Sequence, residues 1–315
     1  MFDSDICALV DPAGTPWFAT VLGMSREVRG LALYRGGRGL RTLQAFLGDP
    51  DPEVLQDLTF RQDALTVWFG AKHELPAAQR ESYAALGYRP ARGTKWAWPC
   101  VLDHTPGYQP WGPTAGQVAW LAAAIPAVLG FAMLIRQEPR IAANRGHLEF
   151  PTVPVGAPIR SAGDLEWRHW SVQPEAPCMD PVRFADAPLA TRLRALPVAA
   201  GQGIDLGWFF SPDCIAEGDR PYHGRILALL DPTTACCLAM NVIPIHDDLA
   251  GKAGELLVGQ FVRGRAIPAT VRVQDPELAG RLGPWLAELG CRIERAERLP
   301  SLAALRQALA VAMAR

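Results

Sequence analysis

From Gly112 to Ile135 the chain carries no charged residue, and from Val118 onward it consists mostly of Ala, Leu, Ile, Val, Phe and Met. At about 1.5 Å per residue, a helix of this length can cross a bilayer. Arg136, Arg140 and Arg145 follow it, where membrane-flanking cations would stand. The stretch is therefore either a bilayer span or a helix buried in a folded domain, and three features direct it to the domain. Four residues between Ala119 and Ala124 are alanine, a strong helix former that is weakly lipophilic. Pro126 interrupts the run. Thr114, after Pro113, stands where an ordinary helix places its N-cap. The pattern predicts a helix from about Ala115 to Ala124, a break, and a second buried apolar element from Val128 to Ile135. No membrane is expected as a partner.

A chain of 315 residues suits two domains of ordinary size. With 49% hydrophobic and 20% charged residues, each half can build a core. The net charge of -1 excludes a uniformly basic nucleic-acid binder and leaves only a local basic patch open. The seven cysteines (Cys7, Cys100, Cys178, Cys214, Cys236, Cys237 and Cys291) are odd in number and form no CxxC pair. That spacing gives no zinc site. The chain starts without a basic stretch followed by an apolar one, so reduced thiols and a cytoplasmic location are expected.

The fold class expected is α+β. A β-rich N-terminal module (residues 1–140) is closed by the apolar helix. A Pro- and Gly-rich connection (141–180) follows, with one or two strands such as Glu166 to Val172. A three-layer α/β module (181–315) completes the chain. In the first module, Ile6 to Val10, Trp17 to Leu22, Leu31 to Tyr34 and Ala64 to Phe69 read as strands. Gly36-Gly37-Arg38-Gly39 reads as a turn before a helix, and the stretch from Lys95 to Gln109 as irregular. In the last module, strands Arg225–Leu230 and Cys236–Ile243 flank the turn Asp231-Pro232-Thr233-Thr234. Helix Leu249–Arg263, strand Ala269–Val273, a helix opened by Asp275-Pro276, strand Arg292–Ala296 and a helix capped by Ser301 follow.

Two resemblances bear on identity. The run Gly30-Leu31-Ala32-Leu33-Tyr34-Arg35-Gly36-Gly37-Arg38-Gly39-Leu40 resembles an uncharacterised bacterial N-terminal module, as do Leu86-Gly87-Tyr88, Trp98-Pro99 and Pro106-Gly107-Tyr108-Gln109-Pro110-Trp111. Arg220-Pro221, Asp231, Pro268-Ala269, Val271-Arg272-Val273-Gln274-Asp275 and Leu299-Pro300 are similar to the uncharacterised module often found behind it. These likenesses imply no activity. At fold level, the order hairpin, helix, strand, helix, strand, helix is similar to the ribonuclease H-like core of integrases. There, carboxylates at strand ends hold two divalent metal ions.

Several residue sets are candidates for a site. Asp231 and Asp275 end strands, as metal-holding acids would, yet each also fits a turn or cap before proline. Ser301 to Arg315 contains no acid to complete such a site. Trp96, Trp98, Tyr108 and Trp111, interleaved with prolines, suit a peptide- or base-binding platform or a loop packing its own aromatics. Arg35, Arg38 and Arg41, with Arg26 and Arg29 upstream, suit phosphate contacts or a solvated face. Cys100, Asp103 and His104 are an unoriented thiol candidate, and His223 and His246 flank the hairpin. No catalytic set is complete. The expected function is therefore a non-enzymatic binding or regulatory protein with a protein or peptide partner, nucleic acid remaining possible, and no cofactor. The alternative is a metal-dependent nuclease or phosphoryl-transfer enzyme using Mg²⁺ or Mn²⁺ at Asp231 and Asp275.

Overall fold

Short apolar strands joined by tight turns give the first half its sheet. In the turn after β1 (Cys7–Val10), the Asp11 carboxylate accepts the backbone N–H groups of Ala13 and Thr15 at 2.9 and 2.8 Å. Its other oxygen accepts the Trp17 indole N–H at 2.9 Å. This returns the chain as β2 (Pro16–Leu22), antiparallel to β1. The computed structural model describes residues 5–23, 29–48, 50, 52–91, 94, 96–142, 149–170, 180–183 and 187–313. They divide into two units, Met1–Glu175 and Ala176–Arg315.

The first unit continues with β3 (Arg29–Arg35), α1 (Gly36–Leu47), α2 (Pro52–Arg61), β4 (Ala64–Gly70) and α3 (Ala77–Ala85). Then come β5 (Trp98–His104), α4 (Ala115–Gln137), β6 (Glu149–Thr152) and β7 (Glu166–His169). The seven strands form one sheet in the order β5-β4-β3-β2-β1-β6-β7, antiparallel except where β6 runs parallel to β1. The stretch expected as a connection thus supplies two strands to this sheet. One face packs Leu9, Leu33 and Leu65 against α4, and the other packs Phe18 and Tyr34 against Leu40 and Leu43 of α1.

Three local expectations are corrected here. Gly36 to Gly39 is the first turn of α1 rather than a separate turn. A Cβ on Gly39 would stand 2.8 Å from Asp63 O, so the helix starts close to its neighbours only because that side chain is missing. The stretch read as irregular contains β5, whose Trp98 and Pro99 disguised a strand at the sheet edge, where proline is tolerated. The apolar segment is one helix running through Pro126, not two elements. Thr114 caps it, its hydroxyl accepting the Gln117 N–H at 3.3 Å. Proline removes one N–H from the ladder, but Trp120 and Ala124 before it and Val128 and Phe131 after it pack into the same core. By length and hydropathy α4 passes as a membrane span, yet its inner face is core. Val118, Leu129 and Met133 are the large apolar residues on its exposed face.

The second unit holds α5 (Ala187–Arg194), β8 (Val198–Ile215), β9 (Tyr222–Leu230), β10 (Cys237–Ile243) and α6 (Leu249–Gly264). It ends with β11 (Ile267–Val273), α7 (Pro276–Glu288), β12 (Arg292–Arg295) and α8 (Pro300–Met313). Its sheet order is β10-β9-β8-β11-β12. β8 pairs antiparallel with β9 and parallel with β11. Leu206, Leu227 and Val271 face Leu257, Phe261 and Leu282 of α6 and α7 on one side, and Phe209, Ile226 and Ala228 face Leu302 of α8 on the other. The unit is therefore three-layered. Its central strand β8 is additional to the elements expected from sequence. Gly201, Gly203, Gly207 and Pro212 within it are weak strand formers, but a Cβ on Gly207 would lie 2.4 Å from Leu302 Cδ2, so α8 needs that gap.

Ser301 is also reassigned. It lies in the first turn of α8, where its hydroxyl donates to Asp205 Oδ2 at 2.5 Å rather than capping the helix. Asp205, wholly buried on β8, also accepts Arg272 Nε and Nη2 at 2.6 and 2.9 Å. Asp205→Ala strands both partners, and urea unfolding of this unit is expected to show a loss of about 3 kcal/mol or more. Phe131→Ala empties the core beneath α4 and is expected to cost the first unit about 3 kcal/mol in the same measurement.

Candidate functional site

In the second unit, a cleft of about 370 Å³ opens where Trp208 of β8, Arg225 of β9 and the first turns of α6 and α7 meet. Asp275 follows the end of β11 and caps α7, accepting the N–H groups of Glu277 and Leu278 at 2.8 and 3.2 Å. Its second oxygen accepts the Trp208 indole N–H at 2.8 Å. Across the cleft, Arg281 of α7 grips Asp248 with two bonds of 2.7 and 3.1 Å. Burial opposes Asp248 ionisation, but the hydrogen bonds and charge of Arg281 hold its carboxyl below the usual range.

Arg225 lines the cleft from β9. Its Nη2 donates to Pro244 O at 2.7 Å and Asp247 O at 2.6 Å. Its Nε is buried and has no hydrogen-bond partner. Such an orphan donor costs about 1–3 kcal/mol. Burial pushes the Arg225 guanidinium down, and the carboxylates of Asp247, Asp248, Glu277 and Asp275 counter it. Four carboxylates line the cleft against two guanidiniums.

Asp275 belongs to this cleft, whereas Asp231 lies elsewhere. The Asp231 carboxylate sits in the β9–β10 turn, accepting the N–H groups of Thr233 and Thr234 at 2.7 and 3.0 Å. These bonds hold it below the usual carboxylate range. Because β9 runs antiparallel to β8 and β11 parallel to it, the two strands end in opposite directions. Leu230 pairs with Asp205, while Asp275 reaches Trp208. The two acids are thus about four residues apart along β8, roughly 13 Å, and two strands apart across the sheet. The expected metal-binding pair is therefore not formed. A two-metal clamp spans only about 4 Å. Among the described residues no three His, Cys, Asp or Glu side chains gather as a metal cluster. The residues present do not fit Mg²⁺ or Mn²⁺ chemistry at Asp231 and Asp275.

The aromatic platform is likewise divided. Trp98, at the start of β5, packs on Tyr83 and Tyr88 with centroids 5.9 and 5.3 Å away, and Lys72 lies 5.3 Å from its ring centre. Both tyrosine hydroxyls donate to backbone carbonyls, of Pro99 and Ala97, at 2.8 Å. The cluster is thus packing at the sheet edge. Trp111 is exposed and pairs through its backbone with Asp103, near the other end of β5, roughly 16 Å along the strand from Trp98. Trp96, at a positive φ of 61°, and Tyr108 are half-buried.

Arg35 is committed to Asp63 at 3.6 Å and Asp103 at 3.4 Å and lies over the Trp17 ring. Arg38 is exposed on α1, while Arg41 one turn on is half-buried with its Nη1 buried and unbonded. The three do not present one phosphate-binding face. Arg26 and Cys178 lie outside the described residues.

The thiols are placed as follows. Cys100 is fully buried and burial pushes it up to about 11, while His104 on the same strand bonds Thr66 at 3.0 Å. Cys214 Sγ stands 3.5 and 3.8 Å from the two ring nitrogens of His223. Near-equal distances place the sulfur over the ring rather than on one nitrogen's lone pair. Burial raises the Cys214 thiol and lowers His223, so the pair rests neutral rather than as thiolate and imidazolium.

Residues 1–151 match a family model described as "Domain of unknown function (DUF7309)", and residues 189–310 match "Domain of unknown function (DUF6930)". The two matches support an uncharacterised two-module family. No curated protein and no solved structure matches the chain. The cleft lies within the second match. Trp208, Arg225, Glu277 and Arg281 were not singled out from sequence. The Asp-Pro cap of α7 was the signal nearest to them.

His223 gives a pH test. Its folded pKa lies below the ordinary 6.5, so as pH falls the unfolded chain takes up the proton first. Stability from this residue is present above about pH 6.5 and is lost below it. Denaturant unfolding at pH 7.5 and 5.5 is expected to show a smaller pH loss in His223→Gln than in the wild type.

Proposed function

We propose that this is a cytoplasmic binding protein without catalysis of its own, whose ligand site is the cleft of the second unit. The observation that carries this reading is a preformed cleft on two strands and two helix starts, lined by four carboxylates and two guanidiniums. Small-ligand sites combine such rigid walls with a few convergent polar groups. Asp275 and Asp248 are held in structural bonds, which favours binding over proton transfer or metal chemistry. The sheet order, with β9 antiparallel to its neighbours, supports reading the unit as a ribonuclease H-like core without a two-metal site. The six described cysteines are free, in keeping with a reducing compartment. The acidic rim disfavours nucleic acid at this site and favours a small molecule or a peptide end.

Thermal unfolding against a panel of amino acids, short peptides, nucleotides and sugars tests the reading. At least one class is expected to raise the melting temperature, since ligand at 100 times its dissociation constant stabilises by about 2.7 kcal/mol. The double variant Asp247→Lys/Glu277→Lys, which reverses two rim charges, is expected to lose that effect. If no class stabilises the wild type, or the variant responds equally, the reading is wrong.

A further inference from the structure

We infer that β10 is the interface of a homodimer, pairing antiparallel with β10 of a second copy about a twofold axis at Asn241. The inference does not rest on the cleft being a ligand site. Among the described residues the two sheets have four edge strands, β5 and β7 in the first unit and β10 and β12 in the second. An edge strand offers unpaired N–H and C=O groups to any other chain, and proteins guard such edges with charges, prolines, short length or a covering segment. On β5 the groups at Pro99, Val101 and Asp103 are taken: Tyr83 donates to Pro99 O, the Gln79 carboxamide bonds both groups of Val101, and Trp111 both groups of Asp103. β7 has four residues, among them Glu166 and Arg168. β12 also has four, three of them charged. β10 has seven, Cys-Leu-Ala-Met-Asn-Val-Ile, with neither charge nor proline. Its one irregularity is a shift between Cys237 and Ala239, which leaves residues 239–243 in regular register. Apart from β9, the β10 backbone meets among the described residues only two thiols, Cys236 Sγ at 3.9 Å from Cys237 O and Cys237 Sγ at 3.6 Å from Ala239 O. Thiols are weak donors.

The strand itself is a sequence that fits this edge. Without charge on it, a twofold copy brings no like charges together. Met240 pairs with Ala228 and Val242 with Ile226, so both lie on the α8 face of the sheet, where both are about half exposed. Antiparallel pairing centred on Asn241 sets Met240 opposite Val242 of the second copy, once on each side of the axis. Each exposed apolar side chain thus gains an apolar cross-strand neighbour. Asn241 pairs with Leu227, which faces α6, so it is exposed on the other side of the sheet. There it meets its own counterpart at the axis, and a carboxamide both donates and accepts. Five paired residues make a small interface, below about 1,200 Å² in total, so the dimer is expected to be reversible and concentration-dependent.

Sedimentation velocity of the full chain over a micromolar concentration series tests this. The wild type is expected to pass from monomer to dimer. Met240→Lys/Val242→Lys places like charges opposite one another at exposed positions, and is expected to weaken the dimer at least about tenfold with circular dichroism unchanged. Directly opposite residues have Cα atoms about 4.5–5.5 Å apart, within disulfide reach. Asn241→Cys in a Cys236→Ser/Cys237→Ser background is therefore expected to give a covalent dimer on mild oxidation, and the background alone to give none. A wild type that stays monomeric throughout, whether its edge is then free or held by another protein, overturns the inference. So does a dimer that the two lysine substitutions leave unchanged, or one that Asn241→Cys fails to cross-link.

Discussion

The buried Asp205 carboxylate fixes the second unit. A charge taken out of water is tolerated only when paired and hydrogen-bonded. Arg272 on β11 and Ser301 on α8 meet that need from two different layers. The pairing holds Arg272 opposite Asp205 in the register of β11 against β8. Three residues later the chain reaches Asp275, which that register brings beside Trp208. The cap of α7 and the wall of the cleft therefore descend from one buried contact. A slip of one residue would turn every side chain of β11 to the wrong face.

Local chemistry made much of this unit legible. Asp275-Pro276 marks the start of α7, and Gly290, at φ 76°, follows its end. Thr114 likewise marks the start of α4. What escaped was set by neighbours rather than by propensity. β8 carries glycines, weak strand formers, because α8 packs against Gly207. β5 carries Pro99 in an edge strand. α4 tolerates Pro126 because its flanking turns bury residues in the same core. In each case packing overrode a correct local preference.

The site shows the same limit more sharply. Asp231 and Asp275 have one local signature, an Asp before Pro after an apolar strand. One lies in a surface turn and the other in the cleft, because strand direction is a property of the sheet and not of the dipeptide. The basic run around Arg35 similarly looked like one face, yet Asp63 and Asp103, distant in sequence, hold Arg35. Arg225 carried no signal in the sequence, since the carbonyls it holds, of Pro244 and Asp247, come to it only in the fold.

The register set by Asp205 is the most direct point of attack. Exchange of the Trp208 indole N–H with solvent, followed by ¹⁵N-resolved NMR, reports whether Asp275 still stands beside it. In Asp205→Asn, folded by circular dichroism, the account predicts markedly faster exchange of that indole than in the wild type. Unchanged exchange would mean that the register does not depend on the buried contact, and would contradict the account.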